Sequence, residues 1–211
     1  MRVPVQEAAT VLLVDDRPDL QVLCLRRRAG SAFVGGMTVF PGGGLDPADR
    51  DAGYAARAVG LTAAEADQRL GIESGGLAYW VAVVREAFEE VGVLLARTRD
   101  DAPPPASVVR HRHAVDRGQR TLLELLESED LVLDLGALYD VARWITPIGP
   151  PRRYDTRFFV ARMPAGQTAA VDAVEAVHAE WRRPADALAG FASAELVMLP
   201  PTVCLLQVLA R

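Results

Sequence analysis

Residues 85–93 read Arg85-Glu86-Ala87-Phe88-Glu89-Glu90-Val91-Gly92-Val93 and end a helical pattern that begins near Leu77. Apolar residues recur through this run at spacings of three and four, which predicts a helix with one buried face. Gly92 stands where the helix is expected to end, because glycine adopts the left-handed backbone conformation without a side-chain clash. The apolar positions of the buried face are Trp80, Val81, Val84, Phe88 and Val91.

Three acids crowd the end of this helix, where unpaired carbonyl groups already carry partial negative charge. Arg85 and Glu89 can pair one turn apart, although in the less favourable order, while Glu86 and Glu90 repel each other. A divalent cation such as Mg²⁺ would relieve the repulsion, since hard cations take oxygen ligands and join carboxylates to phosphate oxygens. A solvated acidic helix face is the alternative for an isolated group of this kind, but a second motif upstream favours the metal site.

That second motif is Phe40-Pro41-Gly42-Gly43-Gly44, followed by Asp49, and with residues 85–93 it resembles the Nudix box. Gly43 matches the glycine of the box, and Asp49 takes the place of its first glutamate. In the Nudix pattern seven residues separate that glutamate from the arginine, whereas 35 residues lie between Asp49 and Arg85 here. An insertion therefore splits the box. We predict a helical insertion over about residues 50–76, where Thr62 and Glu65 form a capping-box signature.

The resemblance implies roles for the residues of the box. It implies that Glu86, Glu89 and Glu90 are catalytic and hold Mg²⁺ or Mn²⁺, and that the carbonyl of Gly43 helps to hold the metal. Arg85 is expected to orient Glu89. The family does not use one fixed position for the general base, so the choice among the carboxylates stays open.

The composition fits one folded domain over residues 1–211, of which 50% are hydrophobic. The net charge of −5 argues against binding to a nucleic-acid backbone. No signal peptide or membrane-spanning apolar run is apparent, which predicts a cytoplasmic protein without membrane contact. Cys24 and Cys204 both stand in apolar runs and are predicted to be buried free thiols.

The remaining patterns predict an α/β protein. Apolar runs at residues 8–14 and 20–25 can form a hairpin, and the glycine-rich segment after Phe40 is expected to be a loop. Extra helices are predicted over about residues 106–142, followed by strands near residues 144–147 and 158–161 and a C-terminal helix from Pro201. His111 and His113 are taken as exposed. The resemblance implies the Nudix fold, a mixed β-sheet sandwiched between α-helices.

Motifs after the box resemble one Nudix branch, the coenzyme A diphosphatases in which an insertion also splits the box. This likeness implies hydrolysis of coenzyme A or acyl-CoA to 3',5'-ADP and a 4'-phosphopantetheine. The segment Leu23-Cys24-Leu25-Arg26 matches the corresponding coenzyme A motif only loosely, so ADP-ribose, NADH or another nucleotide derivative stays open. The motifs that carry the likeness are Trp144–Pro147, Arg152–Phe159, Trp181 and Leu199–Pro201.

Arginine presents a fork of donors that matches phosphate, whereas a solvated arginine at a strand end needs no role. Glu175 lies six residues before Trp181, a spacing at which many Nudix enzymes place a glutamate that approaches the metals, and Glu180 is the alternative. A non-hydrolytic Nudix-fold nucleotide-binding module typically loses the box glutamates, so their presence favours an enzyme with a small-molecule nucleotide as its partner. The resemblance is also compatible with a homodimer. The candidate substrate-binding residues are Arg26, Arg28, Arg152 and Arg153.

Overall fold

The computed structural model describes residues 3–28, 35–171 and 176–211. The strands within these ranges are β1 (Val5–Asp16), β2 (Leu20–Arg27), β3 (Thr38–Val39), β4 (Gly42–Gly44), β5 (Ala58–Val59), β6 (Ala96–Thr98), β7 (Leu131–Asp134), β8 (Leu138–Ile145), β9 (Arg153–Arg162) and β10 (Ala176–Arg182). The α-helices are α1 (Ala63–Leu70), α2 (Leu77–Val91), α3 (Arg112–Asp116), α4 (Leu122–Ser128), α5 (Pro184–Ala192) and α6 (Pro200–Leu209). None of the helices formed by these residues has the length and apolarity needed to cross a bilayer.

The larger sheet has the strand order β10-β2-β1-β9-β8, with β3 paired to β2 and β4 paired to β1. Strands β1 and β9 run parallel, and the other pairs of this sheet are antiparallel, so the sheet is mixed. The predicted hairpin of β1 and β2 is confirmed, with Val14 opposite Val22. A smaller sheet has the order β5-β7-β6.

Helices cover both faces of the larger sheet, as the α/β Nudix fold predicts. On one face, α2 packs over β1 through a core in which Trp80 is fully buried and meets Phe159 edge to face at 4.9 Å between ring centroids. On the other face, α5 and α6 pack through Ala187 and Leu206 against Leu12 and neighbouring strand residues. The two apolar layers fix the position of α2 relative to β1 and β4.

The predicted limits of the long helix are confirmed. Helix α2 spans Leu77–Val91, and Gly92 follows it in the left-handed conformation with φ of 70°. In the insertion, Thr62 and Glu65 form the predicted capping box of α1, which ends at Gly71. The insertion also contains β5, which pairs with β7 and was not predicted.

The prediction of extra helices over residues 106–142 is correct as far as Ser128 and again for the short 3-10 helix at Leu135–Ala137. A 3-10 helix at Ala106–His111 leads into α3. The helical run then ends at Gly118, which has a φ of +63°, and Thr121 caps the next helix, α4. Residues 131–134 and 138–145 are strands, because their β-branched and aromatic side chains fit a sheet surface and β8 pairs with β9.

Three smaller predictions are wrong. The glycine-rich segment after Phe40 is not a loop throughout, because Gly42–Gly44 forms β4 alongside β1. Cys204 is exposed, whereas Cys24 is buried as predicted. The side chain of His111 is only 20% exposed and bonds to Glu129 at 3.0 Å, so it belongs to a structural contact rather than to the solvated surface.

Candidate functional site

The predicted box residues come together where β4 passes the carboxyl end of α2. The backbone N–H of Gly42 donates to Glu90 Oε2 at 2.9 Å, which joins the strand directly to the helix. Gly43 lies against Glu86, since a Cβ atom at residue 43 would be 2.5 Å from Glu86 Oε1. The glycine is therefore required by close approach, because any side chain at this position would occupy the space of the carboxylate.

Arg85 organises the acidic residues around its guanidinium group. Its Nε and Nη2 donate to the two carboxylate oxygens of Asp49 at 2.9 and 3.0 Å, and its Nη2 also donates to the carbonyl of Gly44 at 2.8 Å. Its Nη1 donates to Glu86 at 2.7 Å and to Glu89 at 2.8 Å. Arg85 thus contacts Glu89 directly, and Asp49 holds the arginine from the upstream half of the box; the orienting role of Arg85 stays a prediction.

Burial shapes the electrostatics of this cluster. The side chain of Asp49 is fully buried, and those of Arg85 and Glu89 are 12% and 13% exposed. Burial alone would lower the pKa of Arg85, but its hydrogen bond to Asp49 and the surrounding negative charges raise it. Burial, reinforced by Glu86 and opposed by Arg85, raises the pKa of Glu89 to about 7. The cluster therefore concentrates negative charge in a poorly hydrated place.

Two further arginines, neither of them among the predicted site residues, lie at the acidic end of α2. Arg27 Nη1 is 3.6 Å from Glu90 Oε1, with the arginine side chain 23% exposed. Arg112 Nε donates to the backbone carbonyl of Glu89 at 2.8 Å. These guanidinium groups supply positive charge at a helix end where the sequence showed only acids.

The donor chemistry of the cluster fits a hard divalent cation. Glu86, Glu89 and Glu90 supply carboxylate oxygens, and the missing side chain of Gly43 lets the carboxylate of Glu86 lie directly against β4. Across the part of the chain that the structure describes, no group of three or more His, Cys, Asp or Glu side chains is already arranged around a metal position. Arg85 Nη1 bonds to one oxygen of each carboxylate, Glu86 Oε1 and Glu89 Oε2, so the second oxygen of each side chain is not used by these two bonds.

The predicted substrate-binding arginines occupy different places. In β2 the side chains alternate between faces, so Arg27 points towards Glu90 while Arg26 is exposed on the other face. Arg26 lines a cavity of about 320 Å³ together with Cys24, His178 and Glu180. Arg28 is exposed at the end of the described segment.

Arg152 and Arg153 precede or begin β9 and differ in their contacts. Arg152 is exposed. Arg153 is half-buried, and its Nε donates to the backbone carbonyls of Thr146 and Pro147 at 3.0 and 3.2 Å. Arg153 therefore holds the turn between β8 and β9, which leaves Arg152 as the more accessible of the two guanidinium groups.

The two candidate glutamates near β10 have different outcomes. Glu175 lies outside the residues that the structure describes. Glu180 stands opposite Cys24 in the pairing of β10 with β2, and Cys24 packs in the apolar layer under α5 and α6. Glu180 also pairs with Arg182. It thus lies on the face of the sheet away from α2 and does not join the carboxylates of the helix.

The chain is similar to known proteins of one family. The family described as the NUDT19 Nudix domain matches residues 61–209. The acyl-coenzyme A diphosphatase NUDT19 of Homo sapiens is 30% identical, over 86% of this chain and 58% of that protein. The protein of the same name from Gallus gallus is 29% identical, over 93% of this chain and 65% of that protein.

Among solved structures, a NUDIX hydrolase from Alicyclobacillus acidocaldarius matches with a TM-score of 0.84 and 29% identity, over 99% of this chain and 92% of that chain. The match extends over almost the full length of both chains, so the arrangement of sheet and helices is shared throughout. In contrast, this chain spans less than two thirds of the length of the two NUDT19 proteins, at 58% and 65%.

Proposed function

The chain belongs to the Nudix family, in the group described as the NUDT19 Nudix domain, and on this premise we propose that it is a metal-dependent hydrolase of coenzyme A or acyl-CoA. The observation that carries the proposal is the cluster in which Arg85 gathers Asp49, Glu86 and Glu89 beside Gly43. The proposed substrate is supported by the relatives of Homo sapiens and Gallus gallus, which are named acyl-coenzyme A diphosphatases.

In this proposal Glu86, Glu89, Glu90 and the carbonyl of Gly43 hold Mg²⁺ or Mn²⁺. Such an ion, when bound, neutralises charge on the diphosphate and lowers the pKa of a nearby water. Arg85 holds Glu86 and Glu89 in a common orientation through hydrogen bonds of 2.7 and 2.8 Å. Asp49 fixes Arg85 with a two-point contact, which restricts the rotation of the guanidinium group.

The substrate is an anion, so it needs positive charge in addition to a metal. Arg27 already lies near Glu90, and Arg26, Arg28 and Arg152 have exposed side chains that are open to a phosphate. We assign substrate phosphates to Arg28 and Arg152 rather than to Arg26, which lies on the face of the sheet away from α2, or to Arg153, whose Nε is bound to backbone carbonyls. The proposed reaction adds water across the diphosphate and releases 3',5'-ADP and a 4'-phosphopantetheine. The cytoplasmic location and the homodimer stay predictions.

The test is a hydrolysis screen of the purified chain with Mg²⁺ or Mn²⁺, in which mass spectrometry identifies the products. The substrates are coenzyme A, acetyl-CoA, ADP-ribose, NADH and a dinucleoside polyphosphate. Release of 3',5'-ADP from the coenzyme A substrates is the expected result. Turnover of ADP-ribose or NADH alone would support a hydrolase but contradict coenzyme A or acyl-CoA as its substrate. Metal binding without turnover of any substrate would favour a non-hydrolytic nucleotide-binding module.

A further inference from the structure

Arg112 is a buried arginine that reaches the end of α2 from outside the box. Its side chain belongs to α3, in the extra segment after the box, and the residue is 8% exposed. Its Nε donates to the carbonyl of Glu89 at 2.8 Å, and its Nη1 donates to the carbonyl of Ala170 at 2.7 Å. The guanidinium group of Arg112 thus joins the backbone of Glu89 to the segment that contains Ala170.

The first of these bonds completes the end of the helix. The last carbonyls of an α-helix have no partner within the helix and need donors from elsewhere. Gly92 N–H donates to the carbonyl of Phe88 at 3.0 Å, and Val93 N–H donates to that of Ala87 at 3.2 Å. Arg112 supplies the donor for Glu89, and it also places a positive charge where the helix dipole and the glutamates concentrate negative charge.

The second bond ties this helix end to the segment after β9. The N–H of Ala170 donates to the carbonyl of Val91 at 2.9 Å. The side-chain amide of Gln167 bonds to both the N–H and the carbonyl of Leu94, at 2.9 and 2.8 Å. Arg112 therefore closes a set of hydrogen bonds that holds the last turn of α2 against residues 167–170.

We propose that Arg112 is a positioning residue for the hydrolytic reaction, acting through the backbone of Glu89. It fixes the last turn of α2 so that the carboxylates of Glu86, Glu89 and Glu90 face β4 together. This proposal rests on the proposed function for its effect on turnover, but its effect on cation binding does not require a substrate. In this proposal the helical segment after the box, which contains α3, supports the acidic end of α2.

The test compares Arg112→Ala and Arg112→Lys with a matched control, Arg110→Ala. Arg110 lies two residues away, is 61% exposed and pairs with Glu129, so its loss removes a surface arginine without touching α2. The three measurements are Mn²⁺ affinity without substrate, kcat and KM on the best substrate, and hydrogen exchange of the amides at residues 88–93 and 167–171. Thermal unfolding and circular dichroism establish that each variant is folded.

We expect Arg112→Ala to weaken Mn²⁺ binding and to lower kcat by about 10- to 100-fold each, the range found when residues that support metal ligands are removed. The value of KM should change little, and hydrogen exchange should accelerate in both segments. Arg112→Lys should lie between the wild type and Arg112→Ala, because lysine keeps the charge but cannot donate to both carbonyls in the same geometry. Added guanidinium ion should restore part of the kcat of Arg112→Ala, whereas Arg110→Ala should match the wild type.

A folded Arg112→Ala with wild-type Mn²⁺ affinity and kcat would overturn the proposal. A lower melting temperature with unchanged Mn²⁺ affinity would also overturn it, since the role would then be structural alone. If Arg112→Ala does not fold, Arg112→Lys decides by the same criteria. If the wild type hydrolyses no substrate but Arg112→Ala still loses Mn²⁺ affinity, the proposed function fails while the positioning role stands.

Discussion

The close approach of Gly43 to Glu86 makes Gly43→Ala a sharp test of the site. An added Cβ would lie 2.5 Å from Oε1, 2.7 Å from Cδ and 2.8 Å from Oε2 of Glu86. Ordinary van der Waals contact begins at 3.4 Å, so the carboxylate must move by about 1 Å. A misplacement of that size at a reacting centre can cost on the order of 100-fold in rate, or about 2.7 kcal/mol in activation free energy.

The same substitution should leave the fold almost unchanged. Gly43 has no positive φ, so alanine can adopt its backbone conformation, and the group it displaces is the flexible end of a side chain. We expect the free energy of unfolding to change by less than about 1 kcal/mol, because the reduced entropy of the unfolded chain offsets part of the clash. Gly44→Ala is the matched control, since its Cβ would meet only the carbonyl of Glu7 at an ordinary 3.7 Å.

The assay measures kcat/KM, Mn²⁺ affinity and urea unfolding for both alanine variants and the wild type. We predict that Gly43→Ala alone loses activity and metal affinity, with all three proteins similarly stable. If Gly43→Ala were folded and as active as Gly44→Ala, the carboxylate of Glu86 would not need its place beside β4, and the site assignment would be refuted.

Three further predictions concern stability and reactivity. Asp49→Asn should lower the free energy of unfolding by roughly 1–3 kcal/mol in urea titrations, because an amide N–H₂ would face the donors of Arg85. An unchanged urea midpoint would show that the buried contact between Asp49 and Arg85 does not stabilise the fold. Gly92→Ala should destabilise by about 1–2 kcal/mol, since φ is 70° there, and equal stability would show that the helix ends differently. Burial raises the pKa of the Cys24 thiol to about 12, so the thiol stays protonated and unreactive between about pH 8 and pH 10. Iodoacetamide should therefore label only the exposed Cys204 in the native protein and both cysteines after denaturation, as mass spectrometry would show; rapid native labelling of Cys24 would contradict its burial.

The sequence predicted best the elements whose signals are local. Apolar spacing and Gly92 define α2, and a capping box defines α1, because both signals depend on residues within a few turns of each other. Residues 138–145 were predicted in part as helix because a short apolar run does not show its period. The pairing of β8 with β9 decides that they form a strand, and this pairing depends on the tertiary structure.

The site shows the same division between local and long-range information. The motif placed Glu86, Glu89 and Arg85 together, whereas the contact of Asp49 with Arg85 was not predicted, because 35 residues separate the two in the chain. The sequence did not show which face of β2 packs against α2, because residues 22–25 are apolar and buried on both faces. It therefore could not predict which arginine of this strand points towards α2. The role of Arg112 was also not predictable from its neighbours in the sequence. The acidic end of α2 favours a positively charged group nearby, but the sequence does not show which distant residue supplies it.

The most direct test of the account is the rate of hydrolysis by folded Glu89→Gln and Glu90→Gln variants beside the wild type, on the best substrate of the screen. The variants keep the size of each side chain and remove the charge proposed to hold the metal. We predict that the wild type is active with Mg²⁺ or Mn²⁺ and inactive with excess EDTA, and that each variant loses about 100-fold or more in kcat. Wild-type rates in both variants would contradict the claim that the carboxyl end of α2 is the active site.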